Sequence, residues 1–489
     1  MAQRRIAALF CLLIGILLVA FTGYKAAYIS FTHDESLTWL DIYHSVHDII
    51  VGNPPSSNNH MLNTLLMRSE NMSIGQTEFD LRLHTWISHF IYIIFSFQIA
   101  RLFKNTFLMA ACFVLLNCNP YLLDFFSLAR GYGMALAFMM GSLYFALIYV
   151  RQQKIWKVSL ALFFGMIAVL ANFTWLNYYI VLIGVLGIYQ LSQVMSHKNT
   201  GVKSWLQFLP YMISLVLMYL VLKRPITGLQ AGNNFFFGGE KGFWQDTVFN
   251  LVKDLLYLKN MEWLAWPLFV LVILFLFIAL DYLVVLVYKK GFLKESAFFY
   301  FAMGLLFFAG LSTVVQHGLI GTKFLLDRTS LLFFPLFMLV VVLFANELMQ
   351  NKKWKLASVS LISGLGLLMI GYTCFAVNFH SVREWQYDSD TKAMLKVLDK
   401  EVPLMGRKTE GVFLQAHWFF EPTINFYRRT THMEWVRHID RYEKSDTSKY
   451  EYVYLIDVND NDRAEYKRER KRIIVEYPEI KTALVKWRR

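Results

Sequence analysis

The sequence predicts a mainly α-helical fold: a polytopic membrane protein of about 11 transmembrane helices with interfacial loop helices, followed by a small C-terminal α/β extracytoplasmic domain. Three observations carry this. Apolar runs of about 20 residues recur along the first three-quarters of the chain. Lys and Arg gather in alternate short loops between those runs. Beyond residue 378 the long apolar runs stop, and charged segments with short alternating stretches take over.

Each element follows from these patterns. Hydrophobic residues make up 56% of the 489, above the roughly 45–50% of a soluble chain. Spans are expected near residues 6–24, 84–101, 103–121, 131–150, 156–172, 174–193, 205–222, 264–288, 296–316, 329–349 and 355–378. The first, "IAALFCLLIGILLVAFTGY", follows Arg4 and Arg5. It is long for a signal-peptide core and no small-residue cleavage site clearly follows, so it reads as an uncleaved span. Cys11, Cys112, Cys118 and Cys374 lie in or beside apolar runs without metal-ligand spacing. They read as small packing residues.

Net charge is +13, which in a soluble chain would suggest nucleic acid. Here the excess lies mostly in short loops, where it reports orientation, and no nucleic-acid partner is expected. With the N-terminus cytoplasmic, the inner loops are "RLFKN", "RQQKIWK", "SHKNTGVK", "YKKGFLKE" and "NKKWK". Each is short and basic, while the opposite loops are longer and mixed in sign, the positive-inside pattern. An odd number of spans then places the C-terminal part outside, together with loop 25–83. The expected division is a transmembrane domain, 1–378, and an extracytoplasmic domain, 379–489. The latter carries strand-like "GVFLQAHW", "YEYVYLIDV" and "RIIVEYP" and helix-like "DTKAMLKVLDK" and "EPTINFYRR".

Loop 25–83 is longer than a connection needs. Leu37, Leu40, Tyr43, Val46 and Ile50 recur at roughly helical spacing, with Asp34, Asp41 and Asp48 on another face. This predicts an amphipathic helix along the outer membrane surface. "GNPPSSNNH" breaks it, and a second short helix, "HMLNTLLMR", follows. Two further outer loops are a Gly- and aromatic-rich segment within 223–263 and "HGLIGTKFLLDR", 317–328.

Chemistry-bearing residues cluster in these loops, each with a plain structural alternative. Thr32 and Glu35 form T-x-x-E, a capping box, and Asp34 in the first turn would favour the helix dipole. Asn58, Asn59 and His60 open the second loop helix, where Asn is a good cap. Glu78 and Arg82 stand four apart and read as an intrahelical ion pair. Arg130, Lys323 and Arg328 sit at membrane boundaries, where cations snorkel. Together they place carboxylates, a histidine and cations on one side of the membrane, the groups needed to move a sugar from a lipid phosphate.

Four stretches also resemble a known family. "HDESLTW" follows the first span, "NNHMLNTLLM" is similar to an "NHPLxxLL" segment, "EFDLRLHTWISH" leads into the second span, and "NPYLLDFFSLARGYGMALAF" is similar to "NP…ARxYxL". Their order resembles the GT-C class of polyprenyl-phosphate-sugar-dependent glycosyltransferases, in the branch of protein O-mannosyltransferases, the aminoarabinose transferase and the RgtA/B/C/D-like proteins. "HWFFEPTINFYRR" is similar to the outer domain of several bacterial members. Met61 departs from the family's Pro. Residues 223–378 match in hydrophobic pattern and in "DRTSLLFFPLF" alone.

The resemblance implies an inverting glycosyltransferase, with Asp34 as general base on the acceptor hydroxyl and Glu35 as helper or cap. It also implies donor or acceptor contacts from His60, Asn59, Arg130, Tyr132, Lys323 and Arg328. The expected partners are a polyprenyl-phosphate-linked sugar, a glycan, lipid or protein acceptor, and the bilayer. No cofactor is demanded, and a divalent metal is left unassigned because no D-x-D pair or histidine cluster marks one. The expected location is a bacterial inner membrane. The competing readings are a transporter or flippase, or a polymerase, of lipid-linked saccharides. Charge gathered at the outer mouth, with the spans nearly free of it apart from Asp281, favours the enzyme. In the C-terminal domain, His417, Trp418, Glu421, Asn425 and Tyr427 are acceptor-contact candidates, with ordinary strand and helix roles as the alternative.

Overall fold

The computed structural model describes residues 2–196, 205–232, 237–291, 296–402, 411–440, 450–459 and 471–486. Most of the basic loops "SHKNTGVK" and "YKKGFLKE", and residues 233–236 of the Gly- and aromatic-rich loop, lie outside the described residues. The chain forms two compact units.

The first unit comprises Met1–Gly23, Ser45–Leu65 and His84–Val377. Among the described residues, eight helices are long and apolar enough to cross a membrane: Ala2–Tyr28 (α1), Glu78–Ala100 (α5), Gly131–Gln152, Phe173–Met195, Leu206–Ala231, Lys259–Lys289, Ala297–Ile320 and Lys352–Ala376. The first two continue into the second unit. Side chains such as Phe277 (65% exposed) and Leu361 (76%) cover their outer faces. Apolar surface on that scale calls for lipid rather than water. The chain is an integral, multi-pass membrane protein.

The other three expected spans are shorter apolar helices, Thr106–Asn117, Ile155–Ala171 and Phe333–Leu348. Thr106–Asn117 has 12 residues, a rise of about 18 Å against a hydrocarbon core of about 30 Å. It stops because Asn119 caps a new short helix, Pro120–Asp124, with Pro120 at its first position. Inside this unit Gly131–Gln152 is the enclosed helix, with most of its residues buried. Its partner Ile155–Ala171 approaches closely, since a Cβ on Gly141 would meet the Phe164 ring at 2.6 Å. Ser142 ties the pair by donating to the Ala161 carbonyl (2.8 Å) while accepting from Tyr178 (2.9 Å).

The expected continuous amphipathic helix over 37–50 is two helices, His33–Asp41 (α2) and Val46–Val51 (α3). Ser45 causes the break. Its hydroxyl accepts from the Asp48 amide (3.0 Å) and donates to the Asp48 carboxylate (2.6 Å), which starts a new helix. Asp48 thus belongs to a cap. The second short helix, Met61–Ser73 (α4), extends beyond the expected stretch.

The second unit comprises Tyr24–His44, Leu66–Leu83 and Asn378–Arg489. It holds α2, helices Thr391–Glu401 and Glu421–Thr430, and a four-stranded sheet in the order β1-β2-β4-β3. The strands are β1 Leu414–Ala416, β2 Tyr452–Leu455, β3 Arg472–Tyr477 and β4 Thr482–Lys486. β1 runs parallel to β2, and the other pairings are antiparallel. The first three are the expected strands. β4 was not expected, because its residues are buried almost throughout and show no alternation. Val458, Ala483 and Val485 form a core under this sheet, with Leu455 and Ile473 against it.

Candidate functional site

In the second unit, α2 carries Asp34 and Glu35 and is held at its start by several contacts. The capping box is formed: Thr32 Oγ1 accepts from the Glu35 amide, and Glu35 accepts from the Thr32 amide at 3.0 Å. Glu35 is fully buried, whereas Asp34, one residue earlier, is part-exposed.

The partner of Glu35 is Arg82. Arg82 Nε donates to Glu35 Oε1 (2.8 Å) and Nη2 to Oε2 (2.7 Å), a bidentate pair fully buried on both sides. The same guanidinium donates to the carbonyls of Ala26, Ile29 and Ser30 at 3.0–3.1 Å. This corrects the expected Glu78–Arg82 pair. Glu78 is instead ion-paired with Lys392 and accepts from the Tyr427 hydroxyl at 2.8 Å. The local i,i+4 preference of about 0.2–0.5 kcal/mol is small beside a buried bidentate pair.

Sequence reasoning missed two groups that grip the same segment. Asp388, fully buried, accepts from the His33 amide (2.6 Å) and the Thr391 hydroxyl (3.2 Å). Burial pushes its carboxyl well above the usual range, and the Asp34 charge adds to this against the hydrogen bonds from His33, Thr391 and Thr423. The Tyr427 hydroxyl accepts from the Phe31 amide at 2.7 Å. His33 Nδ1 pairs with the Phe419 carbonyl at 2.7 Å. Phe31 stacks on Phe426 at 4.2 Å between centroids. No local pattern announces these partners, which lie more than 350 positions along the chain from the segment they hold.

In the first unit, the other predicted residues form a second constellation. His60 precedes α4, and its carbonyl accepts from the Thr64 amide at 2.9 Å. Its ring packs edge-on against Tyr132 at 5.3 Å. Arg130, 2% exposed, donates to the Asn58 carbonyl at 3.3 Å. Gly131 permits the close approach here, since a Cβ would lie 1.9 Å from the Ala171 carbonyl oxygen and 3.1 Å from His60 Cβ. His84 and Asn63, which sequence reasoning did not single out, join this region. His84 Nε2 meets Asn63 Oδ1 at 2.9 Å, and Asn63 donates to the Ala129 carbonyl at 3.0 Å.

Burial holds the His60 imidazole well below its ordinary value of 6.5, and Arg130 and then Arg328 push it further in the same direction. Its Nε2 is buried with no hydrogen-bond partner. His60 is therefore neutral at pH 7. A pKa depressed on folding means that the unfolded chain binds the proton first, so stability falls as pH drops below about 6.5. His60→Gln is expected to flatten that slope, measured as melting temperature of the detergent-solubilised protein between about pH 7.5 and about pH 5.

Arg328 follows Asp327, whose φ of 49° opens the short turn Asp327–Ser330. Its guanidinium lies 4.7 Å from the Phe237 ring centroid. Lys323 is ion-paired with Glu240, where the Gly239–Phe324 bridge joins the two loops. Asn59 serves the loop itself, donating to the Ile49 carbonyl (3.1 Å) and accepting from Thr64 (3.0 Å). The structure thus brings His60, Tyr132, Arg130 and Arg328 into one electrostatic neighbourhood, and commits Lys323 and Asn59 to local partners. Among the described residues no group of three or more His, Cys, Asp or Glu converges on a metal-sized site.

No protein-family model matches the chain, and no curated protein matches it by sequence. Among solved structures, the chain is similar to ArnT from Cupriavidus metallidurans in the apo state (11% identity, TM-score 0.44, 99% of this chain and 98% of that one). It is similar to the same protein bound to undecaprenyl phosphate (12%, 0.44, 98% and 97%). A third similar structure is the arabinosyltransferase EmbB from Mycobacterium smegmatis (10%, 0.44, 86% of this chain and 42% of that one).

Proposed function

We propose that this protein is a membrane-embedded inverting glycosyltransferase that takes its sugar from a polyprenyl phosphate and passes it to an acceptor hydroxyl on the outer face of the membrane. One observation carries the reading. Asp34 is part-exposed on a helix start whose flanking residues are immobilised, His33 by Asp388 and the Phe419 carbonyl, and Glu35 by Arg82. A carboxylate kept accessible on so rigid a mount suits a general base.

In the reaction, Asp34 takes the proton of the acceptor hydroxyl as its oxygen bonds to the anomeric carbon. The bond from that carbon to the phosphate oxygen breaks, and its electron pair leaves with the phosphate. By the family resemblance, Arg130 and Arg328 are the proposed cationic contacts to a donor phosphate, with neutral His60 and Tyr132 as further substrate contacts. Glu35 is a positioning residue, because both its oxygens are engaged by Arg82.

The test is reconstitution in vesicles with a polyprenyl-phosphate-linked sugar and cell-envelope acceptors. The expected result is loss of donor with release of polyprenyl phosphate and appearance of glycosylated acceptor. Movement of intact donor across the bilayer without cleavage would replace this reading with a flippase.

A further inference from the structure

The second unit contains a cleft of about 1000 Å³ whose walls include Phe413, Trp418, Glu421, Arg428, Glu434 and Arg437. We propose that this cleft binds the saccharide part of the acceptor, an inference that rests on the glycosyltransferase reading. Four observations support it.

The walls are built rather than incidental. Asn425 donates to Glu421 Oε1 (3.0 Å) and to the Ile439 carbonyl (2.9 Å), and accepts from the Ile439 amide (3.2 Å). This fastens the segment after Glu434 to the helix that carries Glu421 and Arg428. A Val412–Val436 bridge ties the same segment to the chain just before β1, with the Val412 amide donating to the Trp435 carbonyl (2.8 Å) and the Arg437 amide to the Val412 carbonyl (3.0 Å). Gly411, at φ +73°, lets the chain enter this bridge.

The chemistry of the walls suits a sugar. Arg437 lies over the Phe413 ring at 4.2 Å, and Trp418 is 45% exposed. Flat aromatic faces receive the C–H faces of pyranose rings, while carboxylates and guanidinium groups pair with vicinal hydroxyls. Among the lining residues, the acids Glu421, Glu434 and Asp440 balance the cations Arg428, Arg437 and Lys471, which fits a neutral saccharide better than a polyanion.

Arg428 adds a part-exposed guanidinium to the wall. Its Nε is buried with no hydrogen-bond partner. That atom is closed to solvent, so a ligand in the cleft would meet the part-exposed remainder of the guanidinium, whose fork suits vicinal hydroxyls.

The cleft also adjoins the proposed base. Trp418 packs edge-on against His33 at 5.9 Å, and the carbonyl of the next residue, Phe419, accepts from His33 Nδ1 at 2.7 Å. His33 directly precedes Asp34. A saccharide lying on Trp418 is thus one residue from the helix start that presents the base.

The experiment uses the full chain in nanodiscs and an array of short neutral oligosaccharides as the probe. Wild type is expected to bind at least one of them. Trp418→Ala and Arg428→Gln should each weaken binding by about tenfold, while Trp418→Phe, which keeps an aromatic face, retains most of it. Absence of binding to every neutral oligosaccharide, or equal binding by Trp418→Ala, Arg428→Gln and wild type, overturns the cleft. Binding that depends on Trp418 and Arg428 in a protein that transfers no sugar supports the cleft and removes the glycosyltransferase reading. Transfer whose acceptor KM is unchanged in both variants does the reverse.

Discussion

Asp34→Asn is expected to lower sugar transfer by about 10²–10⁴-fold, the usual contribution of a positioned general base. The substitution keeps size and shape and removes the proton-accepting charge. Its structural cost should be small, because Thr32 and Glu35, not Asp34, cap the helix. The lost interaction with the helix dipole is about 0.3–1 kcal/mol, against roughly 2.7–5.4 kcal/mol for the expected rate loss. Rate and stability are therefore separable. Initial rates with saturating donor, beside melting temperature and membrane insertion, make the comparison. Near-normal turnover by a well-folded Asp34→Asn protein would sink the assignment of the base.

Arg82→Met should produce the largest stability change, about 3–5 kcal/mol, because it leaves the Glu35 carboxylate buried without its charge partner. Three carbonyls at the end of α1 and just beyond it lose their donor as well. Arg82→Lys is expected to fail too, since an ammonium does not reproduce the fork that meets both Glu35 oxygens and those carbonyls. Combining Arg82→Met with Glu35→Leu should recover much of the loss, as no charge then remains buried. Melting temperature and limited proteolysis of the second unit report the outcome. A double variant as unstable as Arg82→Met alone would show that the carbonyl contacts dominate over the ion pair.

The legible and illegible parts of this chain divide by range. T-x-x-E announced a capped helix start, and the structure has that cap, because capping is settled within four residues. The i,i+4 rule assigned Glu78 to Arg82 from the same kind of local information, and here it failed. Tertiary packing brought Glu35, 47 positions earlier, against the guanidinium. The amphipathic stretch was legible as apolar spacing, but a Ser–Asp cap within it broke the helix. β4 escaped notice because a short, fully buried strand carries no alternation to read. His60, Arg130, Tyr132 and Arg328 were singled out one by one from residue type and family resemblance. Their electrostatic proximity is a property of the folded first unit.

The sequence by itself determined the solvent. Apolar runs and the rhythm of loop charge depend on composition over about 20 residues, and transfer from water to lipid is proportional to that surface. It also marked Asp34 as a carboxylate at a helix start. Only the tertiary structure decided which carboxylate stays accessible and which is sealed. Asp34 and Glu35 are neighbours in sequence, yet they project in different directions from one helical turn. Arg82 buries the second, and the first remains part-exposed. That choice depends on groups from three distant stretches meeting around residues 29–35, which no local pattern encodes.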